Sequence, residues 1–256
     1  HYHRTGGNQP PIVLCHGFSD NGLCWTPVAR ILEPDYDVIM PDARGHGLSE
    51  APEEGYTTED RADDLAGLIR ALGLEKPAVL GHSMGASVAA VAAARYPDLI
   101  GKLLLEDPVW RDGPRMKPDL AERAKIVERK SKSREALIAQ CREQSPTWSE
   151  AELGPWAESK RQLSPNVVRG FPVKPTPWRE TAEKITCPTL LITAEPERGA
   201  LMTPEIAQEA QALNTAIRVV HIEGAGHNIR REAFEAYMAA VKTFLAESQE
   251  EKSRSR

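Results

Sequence analysis

Short apolar runs alternate along this chain with stretches whose apolar residues recur at helical spacing, and the alternation predicts strands interleaved with helices. Ile12-Val13-Leu14, Val38-Ile39-Met40, Ala78-Val79-Leu80, Leu103-Leu104-Leu105, Thr189 to Thr193 and Ile217 to Ile222 are too short for helices. Most are apolar at successive positions, as strands covered on both faces are; the last, Ile217 to Ile222, is broken by Arg218 and His221. Between them, Trp25, Val28, Ala29, Ile31 and Leu32 recur near the helical period until Pro34. Ala62, Leu65, Ala66, Leu68, Ile69 and Leu72 do the same, between a cap at Thr57 or Thr58 and Gly73. The alanines after Gly85 predict a helix ended by Pro97, Thr203-Pro204 starts another, and an amphipathic helix runs from Arg231 to Ala246. The expected class is α/β, with a mostly parallel central sheet flanked by helices.

The pattern breaks between Pro108 and Thr181. Prolines become frequent, charge is heavy from Arg123 to Arg134, and Trp110, Trp148, Trp156 and Trp178 fall within the segment. Strand signals are few, so a mainly helical insertion between two strands is expected. This gives a core of residues 1–107 and 182–256 and a lid of residues 108–181. Exposed tryptophans are unfavourable unless they pack together or line a cleft. Trp25 and Trp110, with Phe18, are therefore candidates for a substrate pocket.

A chain of 256 residues with 41% hydrophobic and 27% charged residues suits one large domain, or one carrying an insertion. The net charge of −5 is spread along the chain. It offers no concentrated basic face for nucleic acid, and no apolar run is long enough to cross a bilayer. The expected partner is a small molecule. Cys15, Cys24, Cys141 and Cys187 lie far apart without a C-x-x-C pair, which favours reduced, buried thiols and a cytoplasmic location. No signal peptide is visible, although the opening on His1 rather than Met leads us to expect a missing natural start, with which any secretion signal would have gone.

Chemistry concentrates where strands end. Gly81-His82-Ser83-Met84-Gly85 sits between a buried strand and a small-residue helix, which is the nucleophile-elbow pattern G-x-S-x-G. His16-Gly17-Phe18, Asp42-x-Arg44-Gly45-His46-Gly47-x-Ser49 and Gly224-x-Gly226-His227 each follow another predicted strand. Open α/β sheets build their sites at these strand ends. With these four motifs in this order, the chain resembles the α/β-hydrolase superfamily from Ile12 to Ala246. The resemblance implies an α/β-hydrolase fold with an inserted mainly helical cap.

A serine hydroxyl is a poor nucleophile at neutral pH and needs a neighbouring base. His227, in a glycine-rich turn after a strand, is the natural one. His16, His46, His82 and His221 read as architectural. The resemblance implies an oxyanion hole formed by the N–H groups of Met84 and Phe18. It leaves the acid that orients His227 open. Glu197 stands at the usual place after the seventh strand, within Ala194-Glu195-Pro196-Glu197, although the usual glycine is missing there. Asp107 stands at the family's second place, after the sixth strand, and is the favoured acid, because it ends a buried strand before Pro108 and its carboxylate should point to the cleft; Glu197 is the alternative. Glu106 and Glu195 are the remaining options.

The expected reaction is hydrolysis of a carboxylic ester or lactone of a small, moderately apolar substrate through an acyl-enzyme. The alternatives are a carbon-carbon bond hydrolase or a perhydrolase on the same fold, or a non-catalytic ligand-binding protein. Gly45-x-Gly47 has Glu50 where a dinucleotide fingerprint needs its third glycine, and no Walker loop or H-E-x-x-H pair occurs. No cofactor and no metal are expected.

Overall fold

A computed structural model describes residues 1–112, 120–168 and 177–254 of the chain. Six short apolar runs become the strands β2 (Pro11–Cys15), β3 (Asp37–Pro41), β4 (Ala78–His82), β5 (Lys102–Glu106), β6 (Thr189–Thr193) and β7 (Ile217–His221). A further strand, β1 (Tyr2–Arg4), precedes them, and the seven form one sheet in the order β1-β3-β2-β4-β5-β6-β7. β1 pairs antiparallel with β3, and every other pairing is parallel.

The helices are α1 (Thr26–Leu32), α2 (Thr58–Ala71), α3 (Met84–Arg95), α4 (Leu120–Ser131), α5 (Arg134–Gln144), α6 (Glu150–Gln162), α7 (Trp178–Lys184), α8 (Pro204–Leu213), α9 (Ile229–Glu232) and α10 (Phe234–Arg254). Thr57 is the residue that caps α2, in a reciprocal capping box with Asp60. The expected last helix is divided: Ala233, at φ −136°, separates α9 from α10.

Strand alternation sends successive side chains to opposite faces, so each strand feeds two cores. Leu103 and Leu105 pack with the alanines of α3 and with α2, α7 and α8. Leu104 packs with α1 and α10. All three leucines are fully buried, and each contributes about 1.5–3 kcal/mol by leaving water. A charge at Leu104 would break this layer. The small side chains of α3 let it lie directly on the sheet, and that contact sets the position of its first turn. Between β5 and β6, helices α4, α5 and α6 form their own apolar cluster around Leu137, Cys141, Leu153 and Trp156, and Ile126 of α4 packs with Tyr56, Leu163 and Val167. Among the described residues no helix is long and apolar enough to cross a membrane.

Candidate active site

The turn from β4 into α3 is tight because its glycines have no room for a side chain. A Cβ on Gly81 would lie 2.5 Å from the backbone of Gly85, and one on Gly85 would lie 2.2 Å from the carbonyl oxygen of Cys15. Ser83, between them, takes φ 53° and ψ −113°. A non-glycine residue there is strained, at a cost of about 1–3 kcal/mol. Its N–H donates to the Glu106 carbonyl at 2.9 Å, and its carbonyl accepts the Ser87 N–H at 3.0 Å. Ser83 is thus held by backbone on both sides, at the carboxyl end of the central strand.

Two other non-glycine residues with positive φ lie around it, Ser19 at 91° and Asp107 at 43°. Asp107 follows β5 immediately and is fully buried. Its Oδ2 accepts a hydrogen bond from His227 Nδ1 at 2.6 Å. Its carboxylate also accepts the N–H groups of Leu201, at 2.8 Å, and Met202, at 2.8 Å. With Nδ1 carrying the proton, Nε2 of His227 is the nitrogen left to act as a base.

The His227 loop is pinned from three sides. His82 Nε2 donates to the His227 carbonyl at 2.9 Å, and the two rings lie 4.8 Å apart. Glu195 Oε1 accepts the Gly224 N–H, and Glu232 Oε2 accepts the Gly226 N–H. Gly226 passes so close to Arg198 that a Cβ would lie 2.2 Å from the Arg198 carbonyl oxygen.

The turn after β2 completes the arrangement. A Cβ on Gly17 would lie 2.7 Å from His82 Nδ1 and 3.6 Å from the Ser83 Cβ, which brings this turn against the elbow. Phe18 follows it, and Met84 opens α3, where the first N–H groups of a helix have no partner within the helix. His16 Nδ1 donates to the Gly17 carbonyl, while its Nε2 accepts the Ala43 N–H, so the ring is held neutral. Burial lowers the pKa of His16 and holds His46 and His82 well below 6.5.

Among the described residues, Asp107 is the one of the four acid options that bonds to His227. Glu197 is exposed on a short turn, Pro196–Arg198. Glu195 braces Gly224 and Arg198. Glu106 points the other way and accepts the Arg230 N–H at 3.0 Å.

The pocket assignment of two tryptophans needs correction. Trp25 is fully buried among Ile12, Leu14 and Val38, with the Arg230 guanidinium 4.3 Å over its ring. Trp110 is 2% exposed and stacks on Trp178, with ring centroids 5.6 Å apart. Both belong to the cores, Trp25 with β2, β3 and α1 on one face of the sheet and Trp110 with α3 and α7 on the other. Trp148 and Trp156 face Arg231 and Lys160.

Sequence reasoning missed a buried ion cluster behind the site. Asp20, Glu106 and Glu152 face Lys160, Arg230 and Arg231, and all six side chains are buried. Burial alone would raise the Asp20 carboxyl, but Arg231, Lys160 and Arg230 hold it well below its usual range. The available signal was the placement of charges directly after motifs: Asp20 after His16-Gly17-Phe18, and Arg230-Arg231 after His227.

Among the described residues, one group brings possible metal-ligand atoms within 4.8 Å of one another: His1, His3 and Asp42. Asp42 is already committed, since its oxygens accept the Gly22 and Leu48 N–H groups and His1 Nδ1. An open cavity of about 700 Å³ runs beside Met84 and Val88, lined also by Arg44, Arg61 and Leu65. A small one of about 50 Å³ lies between Phe18, Ile126 and Arg129.

Residues 12–240 match the model of the alpha/beta hydrolase family. The chain is 31% identical over 253 residues to an N-formylmaleamate deformylase of Pseudomonas putida, covering 96% of this chain and 92% of that one. Among solved structures, an E-2-(acetamidomethylene)succinate hydrolase superposes with a TM-score of 0.80 at 26% identity, covering 95% of this chain and 94% of the other. The enol-lactonase of Burkholderia xenovorans LB400 superposes with a TM-score of 0.76 at 25% identity, covering 96% of each chain.

Proposed function

The chain belongs to the alpha/beta hydrolase family, and on that premise we propose that it is a serine-nucleophile hydrolase that cleaves the acyl bond of a small-molecule ester or lactone. The observation that carries this reading is the 2.6 Å bond from His227 Nδ1 to the buried Asp107, beside the elbow that presents Ser83. In the proposed reaction Ser83 Oγ attacks the substrate carbonyl carbon while His227 Nε2 takes its proton. The negative charge that develops on the carbonyl oxygen is met by the N–H groups of Met84 and Phe18, each contributing about 3–4 kcal/mol in comparable sites. Collapse of the tetrahedral intermediate expels the leaving group, which takes the proton from His227 and leaves an acyl-serine. Water, deprotonated by His227, then releases the acid and returns Ser83. Asp107 holds the imidazole in the required tautomer and balances its charge. The segment 108–181, with helices α4, α5 and α6, acts as the lid over this centre, and residues 1–107 and 182–256 form the core. No cofactor takes part in these steps.

A second bond class is favoured by one comparison. A relative of similar length is named a deformylase, and its named substrate, N-formylmaleamate, is an N-acyl compound. The same machinery cleaves an N-acyl bond if His227 protonates a departing nitrogen.

The test is a panel of p-nitrophenyl acetate, an enol-lactone and an N-formyl amide, run beside labelling with a fluorophosphonate. We expect label on Ser83 and turnover of at least one substrate, both lost in Ser83→Ala. A chain that takes no label and turns over nothing would be a binding protein, and the proposal would fail.

A further inference from the structure

The turn that carries the Phe18 N–H is not held by its own sequence. Asp20 N–H closes it on the Gly17 carbonyl at 3.1 Å, which places Ser19 at the third position with φ 91°. Turns that require positive φ at that position usually put glycine there, because a side chain is strained in the left-handed region. Serine stays there only if its surroundings compensate.

The compensation comes from α6, some 140 positions along the chain. The Ser19 carbonyl accepts Lys160 Nζ at 2.7 Å and, more weakly, Ser159 Oγ at 3.1 Å, whose single proton is shared with the Trp156 carbonyl at 2.7 Å. Lys160 also donates to Ser19 Oγ at 2.9 Å and to Asp20 Oδ1 at 3.1 Å. An ammonium has three donors, and all three are spent on this one turn. Lys160 is 3% exposed, Ser159 is fully buried, and Asp20 is tied onward to Arg230 and Arg231. A buried lysine is expensive unless it is paired and its hydrogen bonds are satisfied. Here the pairing is spent on holding two residues next to a candidate oxyanion donor.

We propose that Lys160 and Ser159 are positioning residues for the oxyanion hole: from α6 they lock Ser19 in its strained conformation and so fix the direction of the Phe18 N–H. This rests on the proposed hydrolase reading. Neither side chain needs to touch the substrate. If the Ser19 carbonyl is released, the residue relaxes out of the left-handed region and the Ser19–Asp20 peptide turns; its Asp20 N–H then leaves the Gly17 carbonyl, and the Gly17–Phe18 peptide, which carries the Phe18 N–H, is free to rotate. Ground-state binding elsewhere is left in place, so the loss belongs to the chemical step.

The experiment uses Ser19→Gly as a rescue. Glycine adopts positive φ without strain, so the turn then keeps its shape without help from α6. Lys160→Met, Ser159→Ala and each of them combined with Ser19→Gly are assayed on the substrate that the wild type turns over. Fluorophosphonate labelling rates are followed alongside, with melting temperatures as a check on folding. We expect Lys160→Met to lower kcat on the order of 10²-fold, the loss seen when one oxyanion donor is removed, with KM nearly unchanged. Adding Ser19→Gly should recover at least roughly tenfold of that loss. Ser159→Ala should show the same pattern on a smaller scale, and it decides the matter if Lys160→Met does not fold. A wild-type kcat in the folded variants, a change confined to KM, or no recovery with Ser19→Gly overturns the positioning role alone. A wild type that neither labels nor turns over any substrate overturns the hydrolase reading, and this proposal with it.

Discussion

Asp107 reaches His227 at 2.6 Å while its carboxylate also accepts the N–H groups of Leu201 and Met202. The carboxylate is fixed by the backbone before it meets the imidazole, and so the imidazole is fixed in turn. On the proposed reaction, Asp107→Asn presents an amide whose hydrogen-bonding pattern no longer selects the tautomer. We expect kcat to fall about 10⁴-fold, as the equivalent change does in a Ser-His-Asp triad, with the fold retained by circular dichroism. Glu197→Gln, on an exposed turn, should leave kcat within about twofold. A reversed outcome would move the acid to Glu197.

Trp25 lies in the core under Arg230, and a change there should register as stability and not as substrate affinity. We expect Trp25→Phe to lower unfolding stability by about 1–3 kcal/mol and to leave KM unaltered. A clear KM increase with no loss of stability would return Trp25 to the pocket.

Acid should weaken the fold through its buried histidines. His16, His46 and His82 have pKa values lowered from 6.5, chiefly by burial, and each ring donates to a backbone carbonyl. The unfolded chain binds protons at these positions as pH drops below about 6.5, whereas the folded chain does not. Their stabilising effect is therefore complete above that pH and declines below it, by about 1.4 kcal/mol per group for each pH unit until the folded pKa is reached. Asp20, depressed well below its own ordinary range, adds a loss only at lower pH. Urea midpoints measured from pH 7.5 to 5 should decrease steadily, and a flat profile would contradict this account.

Two glycines in helices should respond oppositely to alanine. A Cβ on Gly85 would meet the Cys15 carbonyl oxygen at 2.2 Å, while one on Gly67 would meet nothing within 4 Å. We expect Gly85→Ala to cost about 3 kcal/mol or more, since backbone must shift. Gly67→Ala, in the exposed middle of α2, should stabilise by about 0.5–1 kcal/mol. Chemical denaturation of the two variants measures both, and a stable Gly85→Ala would mean that α3 can move off the sheet.

Five of the parallel strands, β2 to β6, were legible because both of their faces are largely buried, which makes them continuously apolar; β7, an edge strand with Arg218 and His221 exposed, was legible from its branched residues. β1 was not, since His-Tyr-His-Arg is polar and the strand sits at an edge. Its pairing with β3 and the Arg4 fork on Asp37 hold it there. Ser83 and His227 were legible from their glycine-rich flanks. For the candidate acid, the end of a buried strand favoured Asp107 over Glu197, but a count along the chain does not show which side chain turns toward His227. Strand alternation and the positive φ of Asp107 separate it from Glu106 in space. The ion cluster was illegible for another reason: Asp20 and Arg231 are 211 positions apart, and no local pattern links them. Tryptophans misled because an indole has the same sequence signature in a core and in a cleft.

Because α6 contributes Glu152, Ser159 and Lys160 to contacts whose other halves are Asp20 and Ser19, on the loop after β2, and Arg231, in α9, the proposed lid is not a detachable module. Grafting a relative's segment between β5 and β6 without those residues would leave Asp20 facing two guanidinium groups and Arg231 without its carboxylate from above. Lids and sheets in this chain must be exchanged as matched sets, so recombination between relatives is constrained at positions far from the junctions where the chains would be joined.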